Sequence, residues 1–146
     1  MSGYLNTSTS LKEFQILHRD EFFVDKSGII DQLNKRIFSK NRYICITKPR
    51  RFGKTSLLNM LGAYYGKSYD TRSLFDTLEI GKSKDYLTHL NKYNVISMCL
   101  NNLSDKGNTY DDYIDLIKNS FKRDIAAAYP ELESREFNSI SDMLDA

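Results

Sequence analysis

Little in this sequence is built for covalent or metal-based stabilisation. Two cysteines, Cys45 and Cys99, are too few for a disulfide framework. Both sit in apolar runs, which predicts buried free thiols. His18 and His89 stand alone, without a second ligand at metal spacing, so no zinc site is expected. No run approaches the ~20 consecutive apolar residues that a membrane span needs. The first residues, Met1-Ser2-Gly3-Tyr4-Leu5-Asn6-Thr7, carry neither a basic start nor an apolar signal core, and the expected location is the cytoplasm, with no membrane partner. Charge of one sign is also scarce. With 21 Lys+Arg against 19 Asp+Glu the net charge is +2, which excludes an acidic solvating tail and does not by itself predict nucleic-acid binding. Two prolines and seven glycines form no linker, and no repeat divides the chain. The 146 residues are therefore read as one domain, and a composition of 40% hydrophobic and 27% charged residues suits a globular chain with a real core.

Apolar patterning supplies the elements. Residues 1–13 are polar and read as loosely held. Phe22-Phe23-Val24 reads as a short strand, followed by a helix with Ile30, Leu33 and Ile37 on one face, capped by Asp25 or Ser27. Arg42-Tyr43-Ile44-Cys45-Ile46-Thr47 is β-branched and aromatic, the pattern of a buried strand. A helix is expected from Lys54 to Tyr65, with Leu57, Leu58 and Leu61 on its apolar side and Gly66 to stop it. Residues 67–92 offer only an apolar anchor around Leu74-Phe75 and Leu78-Glu79-Ile80. Asn94-Val95-Ile96-Ser97-Met98-Cys99-Leu100 reads as a second strand. Thr109, with Asp112 three residues on, can cap a last helix whose stripe runs through Tyr110, Tyr113, Ile114, Ile117, Phe121, Ile125 and Ala128 to a stop at Pro130. Two strands separated by a helix imply a parallel pair with a crossover, hence an α/β fold.

The segment that carries chemistry is the loop between residues 47 and 56. It ends Gly53-Lys54-Thr55, the second half of the phosphate-binding pattern G-x-x-x-x-G-K-[ST], whose first position here is Lys48 instead of Gly. Gly53 permits positive φ and close approach of backbone to phosphate. The amides opening the next helix favour an anion. Lys54 can reach the β- and γ-phosphates and Thr55 can coordinate Mg²⁺. Arg50 and Arg51 are guanidinium forks suited to phosphate or to an acidic partner, or else solvated flanking charges.

Thr47-Lys48-Pro49-Arg50-Arg51-Phe52-Gly53-Lys54-Thr55 resembles the "RPRRFGKS/T" loop of the AAA-ATPase-like family of P-loop proteins, whose members commonly carry a C-terminal nuclease-like domain of the PD-(D/E)XK type. Phe23-Val24-Asp25-Lys26-Ser27 is similar to that family's "YVDKT" segment, and Leu74-Phe75 with Leu78-Glu79-Ile80 to its "LF…L-I" stretch. A Lys or Arg replaces the first Gly in that family, so Lys48 fits. The resemblance covers about residues 14–103 and implies a P-loop NTPase domain with a parallel sheet flanked by helices. It implies ATP and Mg²⁺ as ligands, with Lys48, Pro49, Arg50, Arg51, Phe52, Gly53, Lys54, Thr55 and Ser56 holding the nucleotide and Thr55 meeting the metal through it. It also places Asp25 and Lys26 near the base, with helix capping by Asp25 as the other reading.

The same resemblance implies that residues 1–146 are the N-terminal part of a single such domain, an incomplete, truncated module. The second strand ends Leu100-Asn101-Asn102, without the Walker B carboxylate that would hold Mg²⁺, and Asp111, Asp112 and Asp115 fall in an amphipathic helix. Expected function is ATP binding with hydrolysis weak or absent. The alternatives are a small-molecule phosphotransferase, which needs an arginine-bearing lid, or a non-catalytic interaction fragment self-associating through an exposed sheet edge. Nucleic-acid binding would rest on Lys48, Arg50 and Arg51 alone and is not expected.

Overall fold

A computed structural model describes residues 3–99, 109–132, 135, 137 and 139–145. They form seven α-helices: α1 (Thr9–His18), α2 (Gly28–Asn34), α3 (Lys54–Tyr65), α4 (Arg72–Phe75), α5 (Tyr86–His89), α6 (Tyr110–Ala128) and α7 (Ile140–Leu144). Two 3₁₀ turns, Glu79–Lys82 and Pro130–Leu132, complete the regular structure among these residues.

The expected parallel sheet is absent: the described residues are helical, and their only β-type pairings are isolated bridges, Leu5 with Ile96 (antiparallel) and Gly66 with Tyr93 (parallel). Residues 42–47 lack helical structure and have no ladder partner; Tyr43 is 82% exposed, and Ile44 and Cys45 are exposed too. β-Propensity measures fit to a half-buried pleated surface, and the described residues offer this run no such surface. Phe22-Phe23-Val24 forms no strand either, and Phe22 is 83% exposed. In the second expected strand Ile96 makes a single bridge and Ser97 N–H donates to Tyr4 O at 2.9 Å, while Leu100 lies outside the described residues. Cys99, like Cys45, is exposed, against the expectation of buried thiols.

The chain divides into two compact units. One spans residues 8–95 and is built on α1 and α3. Residues 9–13, read from sequence as loosely held, belong to α1, whose Ser10 and Phe14 turn one face into the core. Phe14 stacks on Phe75 at 5.1 Å between ring centroids, and Tyr64 meets Phe75 edge-on at 5.4 Å. The anchor around Leu74-Phe75 and Leu78-Glu79-Ile80 is central: Phe75, Leu78 and Ile80 are buried with Ile30, Met60, Ala63 and Leu90. On α3, Met60, Ala63 and Tyr64 are the buried residues, and Leu58 faces solvent. Helix α2 ends at Asn34, so Ile37 falls beyond it, in a turn.

Polar ties hold the far end of α3. The Tyr64 hydroxyl donates to Tyr86 O at 2.6 Å, and that of Tyr65 to Asn34 Oδ1 at 2.8 Å. Burial pushes both phenols above their ordinary pKa, so they remain neutral donors. Asn91, at φ 55°, donates through Nδ2 to Gly66 O at 2.9 Å and Thr71 Oγ1 at 3.0 Å, and its Oδ1 accepts from Thr71 N–H at 3.0 Å. Its backbone N–H donates to Tyr64 O at 2.8 Å. Carbonyls at the C-terminal end of α3, which have no partner within the helix, are thereby satisfied.

The contact between α1 and α3 depends on Gly62, where a Cβ would stand 2.7 Å from both Cβ and Oγ of the buried Ser10. Gly62→Val will force α1 off α3 and lower stability by about 1–3 kcal/mol. Thermal unfolding measures this, and an unchanged melting temperature refutes the contact.

The other unit comprises residues 1–7 and 96–146. Thr109 and Asp112 make the expected capping box on α6, Thr109 Oγ1 accepting from Asp112 N–H at 3.2 Å and Asp112 Oδ2 from Thr109 N–H at 3.0 Å. Ile117, Phe121 and Ile125 bury one stripe of α6 together with Met143 of α7. Tyr110 stays 76% exposed and Ala128 is exposed, so the stripe is shorter than its sequence pattern. Helix α6 ends at Ala128, before Pro130. The Asp124 carboxylate accepts from the backbone N–H groups of Tyr4 and Leu5, fixing these two residues against α6.

Candidate functional site

Helix α3 begins where the sequence places it, with Gly53 as N-cap at φ 76°, ψ 23°. This left-handed conformation costs an L-residue with a side chain about 1–2 kcal/mol and glycine almost nothing. Left-handed Gly53 followed by right-handed Lys54 turns successive N–H groups to one side, the concave seat that suits an anion. Gly53, as N-cap, has no side chain with which to cap α3. The positive end of a 12-residue helix thus keeps its first N–H groups for an external acceptor.

Lys54 turns back into the loop. Its ammonium donates to Lys48 O and to Pro49 O, the latter at 2.8 Å. An ammonium has three donors, so one remains beyond these two carbonyls. Arg51 adopts φ 66°, a second left-handed position two residues before Gly53. The turn thus wraps residues 48–53 around the lysine.

Beside this turn lies a cavity of about 360 Å³. Phe14, Phe23, Val24 and Met60 contribute to its apolar wall, and Lys26, Arg51, Gly53 and Ser56 to its polar border. Phe52 also lines it and is 62% exposed. Among the described residues, no Asp or Glu lines the cavity. The ion pairs among the described residues join Lys35 to Asp31, Arg72 to Asp76, Lys118 to Asp115 and Arg123 to Asp124. Lys26, Lys48, Arg50, Arg51 and Lys54 take part in none of them.

Of the nine residues singled out in the loop, Lys48, Pro49 and Lys54 are joined by hydrogen bonds, and Arg51, Phe52, Gly53 and Ser56 share the cavity. Arg50 and Thr55 are exposed, Thr55 on the first turn of α3. The position expected for a Walker B carboxylate, after Leu100-Asn101-Asn102, lies outside the described residues.

Asp25 and Lys26 part company. Asp25 Oδ1 accepts from Ser27 N–H at 2.8 Å and Oδ2 from Glu79 N–H at 2.7 Å. It thus organises the entry to α2, whose N-cap, Ser27, makes no side-chain capping bond. Partial burial opposes its ionisation, but hydrogen bonds from Ser27 and Glu79 outweigh burial and hold the carboxyl below its ordinary 3.8. Because the folded pKa is depressed, this stabilisation is complete above about pH 4 and is lost as pH falls through the folded value. The stability gap between the native chain and Asp25→Asn, read from urea unfolding, should be constant from pH 7 to 5 and shrink by pH 3; a gap independent of pH contradicts it.

Lys26, by contrast, reaches the loop. Its Nζ stands 3.3 Å from where a Cβ on Gly53 would be. The loop pattern alone does not reach Lys26, 27 positions away; the resemblance of Phe23-Val24-Asp25-Lys26-Ser27 singles it out together with Asp25.

A family model described as "AAA-ATPase_like: Predicted AAA-ATPase" matches residues 9–145. No curated protein and no solved structure matches the chain.

Proposed function

Because the chain belongs to the AAA-ATPase-like family, we propose that it binds ATP with Mg²⁺ through residues 48–56. The observation that carries this reading is the enclosure of the Lys54 ammonium by Lys48 and Pro49 carbonyls at a left-handed glycine opening an uncapped helix. The residues fit the ligand. The third Lys54 donor and the first N–H groups of α3 would meet the terminal phosphates, Arg51 would add a guanidinium fork at the cavity border, and the Thr55 hydroxyl would supply one oxygen ligand to Mg²⁺. The apolar cavity next to Gly53 takes the nucleoside end. Bound Mg²⁺ supplies charge neutralisation between the phosphates.

Turnover is proposed to be slow or absent. Hydrolysis needs a carboxylate or amide to orient the attacking water, and among the described residues no acidic side chain lines the cavity beside the loop. Calorimetric titration of the full chain with MgATP tests the reading: saturable one-site binding supports it, and a folded chain that takes up no heat at millimolar MgATP overturns it.

A further inference from the structure

We propose that Lys26 is a further phosphate-binding cation of this site, contributed by the turn before α2 and not by the loop itself; this rests on the nucleotide-binding reading above. The ammonium of Lys26 stands over Gly53, 3.3 Å from the position a Cβ would occupy. That is the residue at which the loop backbone turns left-handed and where a phosphate can approach without meeting a side chain. Lys26 also borders the same cavity as Arg51, Gly53 and Ser56.

Its charge is unspent. Asp25, the adjacent carboxylate, is committed to the N–H groups of Ser27 and Glu79, and no ion pair among the described residues includes Lys26. Lys26 approaches Gly53 from a different segment than the Lys54 ammonium, which is tied to Lys48 and Pro49. Like charges brought from two segments to one site repel, and a polyvalent anion relieves that repulsion more than a monovalent one. The arrangement thus selects di- and triphosphates over monophosphates. It also makes the ligand a bridge, with one phosphate group joining the α3 loop to the 25–27 turn that Asp25 fastens to Glu79.

The test titrates the full chain with two probes, MgATP and inorganic tripolyphosphate, in the native sequence and in Lys26→Ala, Lys26→Arg and Lys54→Ala. Lys26 is exposed, so its variants fold, which circular dichroism checks. Lys26→Ala should weaken both probes at least about fivefold, the range of one charge-assisted contact discounted for exposure. Lys26→Arg should stay within about twofold of the native chain. If Lys54→Ala weakens binding and Lys26→Ala does not, Lys26 is no ligand and the nucleotide reading stands. Equal losses in Lys26→Ala and Lys26→Arg would show a steric role, and that too overturns the proposal. A native chain that binds neither probe overturns both readings together.

Discussion

Lys54→Ala will weaken MgATP binding at least tenfold, and up to about a hundredfold. A charge-assisted contact to phosphate contributes about 1.5–3 kcal/mol, and every 1.4 kcal/mol is a factor of ten in affinity. The substitution acts twice. It deletes the remaining ammonium donor, and it releases the Lys48 and Pro49 carbonyls that the ammonium gathers, so the turn loses its internal tether as well as its charge. Alanine is a good helix former at the first position of α3, and the fold should survive. Lys54→Arg should not restore affinity, because a planar guanidinium cannot satisfy the same two carbonyls and still present a compact donor. Calorimetry with circular dichroism alongside reads the outcome. A folded Lys54→Ala chain with native MgATP affinity removes the loop from the site.

The largest effect on stability is expected at Asn91. One side chain serves Gly66 O, Thr71 Oγ1 and Thr71 N–H, and Thr71 is buried. Asn91→Ala leaves those groups without their partner, at about 1–3 kcal/mol for a buried unsatisfied polar group. It also places alanine at φ 55°, where asparagine is tolerated and alanine is strained by about 1 kcal/mol. The total loss should be about 3 kcal/mol, measured as a shift in the urea midpoint at unchanged slope. Asn91→Gly separates the two causes, recovering the conformational part and none of the hydrogen bonding. A loss below about 0.5 kcal/mol in Asn91→Ala would mean that water replaces the amide and that the tie is not structural.

Local signals in the sequence were good guides where the structure itself is local. Gly53 and Gly66 bracket α3, and the Thr109–Asp112 box opens α6, because caps and left-handed turns depend on a few adjacent residues. The loop of the candidate site was readable for the same reason. What failed was non-local. Residues 42–47 have the composition of a strand, but pairing depends on a partner that their own pattern cannot specify. The Thr71–Asn91 tie spans 20 positions and the Asp25–Glu79 bond 54, distances at which periodicity carries no information. Helix α1 was missed because its buried face includes Ser10, a polar residue beneath which only a glycine can pack.

The folded-back lysine has a further consequence for the energetics of recognition. A free lysine side chain carries roughly 2 kcal/mol of rotamer entropy, which an exposed one surrenders only when it grips its ligand. Here the Lys48 and Pro49 carbonyls have already narrowed those rotamers, so the disorder is lost when the chain folds and not when an anion arrives. Preorganisation of this kind leaves more of each phosphate contact as net affinity.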